Sequence, residues 1–203
     1  MRKRRLPMRN VTAGRRSRHA DERGLRVIDD RLHLGRIDLL DVARRHGSPV
    51  HVVDGAALDR AAAEATRAGT HSTVYASYKT NPVPAVLSRL HAGGVLAEVI
   101  SPYEWWLARR LGVDGSDLIY NGPAKSVESL RHAVVAGAEL VNANSADDLS
   151  RIADAAADAG RRVRAGVRIS LPHMWGAQFG LAAPSAELTA TIRRGLGDPN
   201  LDL

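Results

Sequence analysis

The sequence predicts a parallel β/α barrel of the TIM type, stopped after about five strands, and three observations carry that prediction. Short β-branched runs alternate with amphipathic stretches of about ten or more residues. The run centres, Val74, Val99, Ile119, Val141 and Val167, lie 25, 20, 22 and 26 residues apart, the period of consecutive β/α units in a parallel sheet. Each run also ends on polar residues: Lys79 and Asn81, Ser101, Asn121, Asn144 and Arg168. In a barrel those C-terminal strand ends form the rim where chemistry gathers. A doubly wound sheet shows the same alternation, but no strand here is followed by the Gly-x-Gly-x-x-Gly turn that would support one.

The chain opens on MRKRRLPMRNVTAGRRSRHADERG, which holds nine Arg or Lys against Asp21 and Glu22. This segment carries the whole formal charge of +7, and the remaining 20 basic and 20 acidic residues cancel. With few large apolar residues and no sustained periodicity, residues 1–24 are predicted to be a disordered basic arm. An arm of this kind could touch nucleic acid or an anionic membrane surface. No aromatic-basic surface or helix-turn-helix pattern follows it, so no specific nucleic-acid function is expected. No apolar stretch that could serve as a signal peptide or membrane span follows either, so no membrane partner is expected. The lack of cysteine excludes disulfides, a thiol nucleophile and thiolate metal sites, and makes a cytoplasmic location the default.

Residues 25–53 read as strands and a helix leading into the barrel. LRVIDDRLHL is a hairpin about Asp29-Asp30, the stretch from Ile37 to His46 is a helix stopped by Gly47, and GSPVHVVD is a further strand. Residues 54–203 read as the partial barrel, with strands in STVYASYK, GVLAEVIS, DLIYNG, AELVNANS and RRVRAGVRIS. The helices after the first four begin near Pro82, Pro102, Ser126 and Ser145 and finish near Gly93, Gly112, Gly137 and Gly160. A further helix-like stretch runs from Ser185 to Leu196. A complete barrel takes about 250 residues, so the expectation is a fragment or a truncated product.

Basic residue usage singles out the chemistry. The chain has 26 Arg and 3 Lys, and only Lys79 and Lys125 lie beyond the arm. Arginine replaces lysine in most surface and ion-pair roles but stays protonated and cannot form an imine. A lysine kept in such a chain is a candidate for amine chemistry, with chance survival as the plain alternative. Strand alternation in VYASYKTNP puts Tyr75, Ser77 and Lys79 on one face, pointing into a barrel mouth where partial desolvation favours a neutral amine. Arg168 is either an ordinary ion-pair residue or a fixed fork for an anionic oxygen. Glu98 is either a solvated charge or a partner for a cationic group near Lys79. Asn121-Gly122-Pro123 with Lys125 and Ser126 is most simply a loop and a helix cap. The eight histidines are scattered without His-Glu-x-x-His spacing, so no metal is expected. Trp105 and Trp106 read as helix packing, and Trp175, in PHMWGAQFG, as part of a loop over the rim.

These motifs together resemble the fold-type III pyridoxal-phosphate decarboxylases, the diaminopimelate, ornithine and arginine decarboxylase group related to alanine racemase. LLDVARRHGSPVHVVD is similar to the family's approach to its barrel, YKTNP to its cofactor-lysine strand and AEVISPYE to its second strand. IYNGPAKS, VNANS and VRIS with the later QFG resemble the third, fourth and fifth strands. The resemblance implies an alanine-racemase-like barrel in which Lys79 binds pyridoxal 5′-phosphate as an imine. It further implies that Arg168 approaches the cofactor's phenolic oxygen and that Glu98 is the acidic residue beside the lysine. The family's Tyr-Ala-Val-Lys-Ala-Asn is here Ala76-Ser77-Tyr78-Lys79-Thr80-Asn81, and its Ser-Lys-Phe-Gly is here Ala177-Gln178-Phe179-Gly180.

The implied function is α-decarboxylation of a basic or dibasic amino acid, by a protein that is a homodimer at full length and whose segment 25–53 belongs to a second β domain. Two rivals stand beside it: a pyridoxal-phosphate-dependent racemase on the same barrel, and a non-catalytic fragment that acts only through binding.

Overall fold

The structure, a computed structural model, describes residues 24–68, 72–171 and 178–203. The arm over 1–23 and the Trp175 segment of the rim loop lie outside the described residues. The chain divides into two units, Met1–Asp54 and Gly55–Leu203.

In the first unit, the Asp-Asp pair makes the hairpin that the sequence predicts. Asp29 and Asp30 both take positive φ, 48° and 60°, as a type I′ turn requires, and they join β1 (Leu25–Ile28) antiparallel to β2 (Arg31–Leu34). β3 (Ile37–Asp38) pairs with β2 and runs into α1 (Leu39–His46). Asp38 caps that helix by accepting from the Leu40 amide at 2.8 Å. Arg31 reaches Asp38 at 2.7 Å and Asp41 at 2.6 Å, and its hydrogen bond holds the Asp41 carboxyl below the usual carboxylate range. The segment GSPVHVVD forms no strand, contrary to the sequence reading. Val50, Val52 and Val53 have the propensity, but strand residues are stabilised by a neighbouring ladder, and no described segment supplies one.

In the second unit, α2 (Gly55–Ala68) leads into β4 (Tyr75–Ser77), α3 (Pro84–Ala92), β5 (Leu96–Val99) and α4 (Pro102–Arg110). There follow β6 (Leu118–Tyr120), α5 (Val127–Val135), β7 (Leu140–Ala143), α6 (Ala146–Asp158) and β8 (Val163–Val167). β9 (Ile169–Ser170) and β10 (Leu181–Ala182) form a short parallel pair ahead of α7 (Ala186–Gly197) and β11 (Leu201–Asp202). The main sheet is parallel throughout, in the order β4-β5-β6-β7-β8-β11. Each strand therefore lies beside its predecessor in the sheet, with no reversal of order. A doubly wound sheet reverses at a switch point, whereas a barrel does not. The sheet is the barrel arc, one strand longer than the five expected, because the two residues of β11 are too few to show an alternating pattern.

Serine starts most of these helices. Ser101, Ser126, Ser145 and Ser185 each accept, through the side-chain hydroxyl, from the amide three residues on, at 3.0 to 3.2 Å. The first of the sheet helices begins at Pro84, two residues beyond the position expected from Pro82. Alternation along the strands places the core on one side. Ala97, Val99, Leu118, Tyr120, Val141, Ala143, Val163 and Ala165 are buried together with Leu107, Leu130, Leu149 and Ile152 from the helices. Leu96, Glu98, Ile119, Leu140 and Asn142 alternate with them, occupy the other face and are only partly buried. The polar members of that second face lead directly to the site.

Candidate functional site

The C-terminal ends of β4 to β8 surround a cleft of about 890 Å³. Lys79, Glu98 and Arg168, separated by up to 89 residues of sequence, all line it, with Ser77, Asn121, Gly122, Asn142, Asn144, Gln178 and Phe179. Lys79 stands in the turn beyond β4 rather than on the strand: the Thr80 amide and hydroxyl both return to the Ser77 carbonyl, at 3.1 and 2.7 Å. Tyr78 anchors that turn. Its amide donates to the Glu98 carbonyl at 3.0 Å, its ring is fully buried, and its hydroxyl lies 2.8 Å from His91 Nε2. His91 Nδ1 faces the Val95 carbonyl at 2.7 Å, so Nδ1 carries the proton and Nε2 accepts from the tyrosine. Burial pushes the Tyr78 hydroxyl up to about 12.

A row of amides aims the carboxylate. Asn142 Nδ2 donates to Asn121 Oδ1 at 2.5 Å, and Asn121 Nδ2 donates to Glu98 Oε1 at 2.7 Å. The row crosses three neighbouring strands and leaves Glu98 oriented across the cleft. Gly166 makes it possible, since a Cβ there would fall 2.0 Å from Asn142 Oδ1. Asn142 was not singled out in the sequence; the one signal for it is N-A-N, which places Asn142 and Asn144 on the same face of β7.

The cations are arranged differently. Among the described residues neither the Lys79 ammonium nor the Arg168 guanidinium has an ion-pair or hydrogen-bond partner. Arg168 is instead placed over the Phe179 ring, 5.4 Å from its centre. Two unpaired cations and one hydrogen-bonded carboxylate make a cleft that favours an anionic ligand. Pyridoxal phosphate, with a phosphate, a phenolic oxygen and an aldehyde that needs an amine, fits that donor set.

Lys125, the other lysine beyond the arm, is in the opposite setting. Its side chain is 0% exposed and donates to Asp148 Oδ2 at 2.7 Å. Ser126 caps α5, so this stretch is the loop and cap that the sequence suggests. Trp105 packs in the core at 5.6 Å from the Tyr120 ring, while Trp106 is half exposed and stacks on Tyr103. Among the described residues, no cluster of three or more His, Asp or Glu is placed to hold a metal ion, and no helix is long and apolar enough to cross a membrane.

Comparison with known proteins follows the same lines. The family profile described as pyridoxal-dependent decarboxylase, pyridoxal binding domain, matches residues 56–191. The diaminopimelate decarboxylase of Deinococcus radiodurans is 36% identical over 110 residues, covering 54% of this chain and 29% of the relative. The lysine/ornithine decarboxylase of Selenomonas ruminantium is 33% identical over 95 residues, covering 47% and 24%. The solved diaminopimelate decarboxylase of M. jannaschii, in complex with L-lysine, overlays with a TM-score of 0.77 at 22% identity, over 88% of this chain and 45% of the other. The overlay extends the fold assignment to the barrel of those enzymes. The chain spans about a quarter to a third of the length of these curated relatives and under half of the solved chain.

Proposed function

Since the chain belongs to the pyridoxal-dependent decarboxylase family, over its pyridoxal binding domain, we propose that it is the cofactor-holding part of an amino-acid α-decarboxylase of the diaminopimelate or ornithine type. The observation that carries this reading is the pair of cations, Lys79 and Arg168, in one cleft with Glu98 and without an ion-pair partner among the described residues. The two relatives given above are named as decarboxylases, which favours loss of CO2 over the loss of a proton in a racemase. Segment 25–53 goes with a second β domain in this reading, and the full protein with a homodimer in the cytoplasm.

Each residue has a task in this reading. Lys79 would hold pyridoxal phosphate through its amine, and its lack of a partner among the described residues leaves that amine available for exchange with a substrate's. Arg168, steadied by Phe179, would offer its fork to the phenolic oxygen. Glu98, aimed by Asn121 and Asn142, supplies the cleft's fixed negative charge and a place for a cationic group. Bound there, the cofactor supplies an electron sink for the pair left on Cα when CO2 departs.

Mixing the chain with pyridoxal phosphate, reducing with borohydride and mapping peptides tests the assignment. Cofactor is expected on the peptide carrying Lys79, with Lys79→Ala abolishing it. Label on Lys125 would overturn the reading.

A further inference from the structure

The tasks above leave the buried ion pair of Lys125 and Asp148 unused. The two side chains are 0% and 2% exposed, and Lys125 Nζ donates both to Asp148 Oδ2 at 2.7 Å and to the Gly122 carbonyl at 2.5 Å. Asp148 Oδ2 also accepts the Asn144 amide N–H at 3.0 Å. Asn144 Nδ2 donates to that same Gly122 carbonyl at 2.8 Å. Gly122 and Asn144 stand on neighbouring strand ends and both line the cleft. They are thus tied to each other, and each is tied separately to the ion pair behind them. Both lone pairs of the Gly122 carbonyl are used, and the Asn144 side-chain oxygen is buried without a partner among the described residues.

Stability does not account for this arrangement. Taking two charges out of water costs about as much as their attraction returns, and apolar residues of similar volume often serve as well or better. Burial also lowers the Lys125 pKa, against the opposing effect of its hydrogen bond to Asp148. An apolar pair, however, could neither donate to Gly122 nor accept from Asn144. What the ions add is the geometry of those two cleft residues. Around the rim the order is Lys79, Glu98, Gly122, Asn144 and Arg168, following β4 to β8. A ligand that engages both Lys79 and Arg168 lies in the cleft whose wall between them Gly122 and Asn144 line.

We infer that Lys125 and Asp148 are positioning residues for the cofactor, acting through the Gly122 carbonyl and the Asn144 amide that form the central wall of the cleft. The inference rests on the pyridoxal-phosphate reading of the site.

Two variants of the chain test it, each followed by thermal unfolding and by titration with pyridoxal phosphate. Lys125→Met combined with Asp148→Leu removes both charges at similar volume. Asn144→Ala removes the side-chain amide that ties Asn144 to the Gly122 carbonyl and leaves the ion pair, with its bond to the Asn144 backbone N–H, in place. Each should unfold within a few degrees of the parent yet bind pyridoxal phosphate about tenfold more weakly, a split that a merely structural pair would not produce. Parent-like affinity in the folded double variant would overturn the inference. So would parent-like affinity in Asn144→Ala, which alone decides the matter if the double variant does not fold. Failure of the parent chain to bind pyridoxal phosphate at all is a different outcome, which removes the functional reading and this inference with it.

Discussion

Lys79 and Lys125 carry the same amine in opposite settings, and only one of those settings was legible in the sequence. Scarcity of lysine pointed to both, and the polar end of a strand pointed to Lys79. The partner of Lys125 lies 23 residues away on another β/α unit, and Asn142 meets Asn121 across 21 residues, so no local pattern announces either contact. Tyr78 was legible only as a departure from the family's valine; its part-buried bond to His91 is a tertiary fact. That bond gives a pH prediction. The folded-state pKa of Tyr78 is about 12, against an ordinary value of 10.0. Below pH 10 the hydroxyl is protonated in both states and contributes no pH dependence. Between 10 and 12 the unfolded chain releases the proton while the folded chain keeps it, so stability falls as pH rises through that window. Tyr78→Phe should lose roughly 1 kcal/mol at neutral pH, from the unmade bond to His91. The same variant should show a shallower fall between pH 10 and 12 in urea-unfolding midpoints. An unchanged slope would show that Tyr78 is not the group responsible.

At the scale of elements, what could be read was what is long or capped. Helices α4, α5 and α6 begin where Pro102, Ser126 and Ser145 predicted and stop at glycines of positive φ, Gly112, Gly137 and Gly160. β9, β10 and β11 are two residues each, below the length at which alternation means anything. GSPVHVVD failed for the converse reason, having propensity without a partner. The rim loop after β6 depends on one residue. Gly122 sits at φ +86°, and a Cβ there would fall 2.1 Å from the Ile100 carbonyl oxygen. Gly160, at φ +58°, has nothing within 4 Å of the same position. Gly160→Ala should therefore cost only the left-handed strain, about 1 to 2 kcal/mol. Gly122→Ala adds a backbone collision and should cost clearly more, and for a chain of this size each kcal/mol lowers the melting temperature by roughly 2 to 4 °C. Comparison of the two melting curves checks this, and equal shifts would mean that the β6 loop yields without resistance.

For the molecule as a whole, the class of fold was legible because strand spacing and strand order are the same information in a consecutive parallel sheet. What the spacing could not convey is which strands end the arc. β4 pairs only with β5 and β11 only with β8, so among the described residues both edges of the main sheet are without a second neighbour. Parallel strands are normally covered on both faces and closed or shielded at the edges. Here the helices cover one face, while Leu96, Ile119 and Leu140 on the other remain partly exposed. Covering a large apolar side chain fully is worth roughly 1.5 to 3 kcal/mol, and a whole domain is stable by only about 5 to 15 kcal/mol. A few such side chains together with two open ladders are a strong drive toward another surface. A second copy of the chain offers the same edges and the same face, in a concentration-dependent encounter. Net charge opposes this only weakly, because the excess of +7 sits in the first 24 residues and the rest is neutral. The purified 203-residue chain should therefore sediment well above its 21.8 kDa monomer mass, increasingly so with concentration. Association should persist at high salt, which screens charges and leaves apolar contact intact. Sedimentation as a monomer at all concentrations would show that the exposed arc is stable by itself.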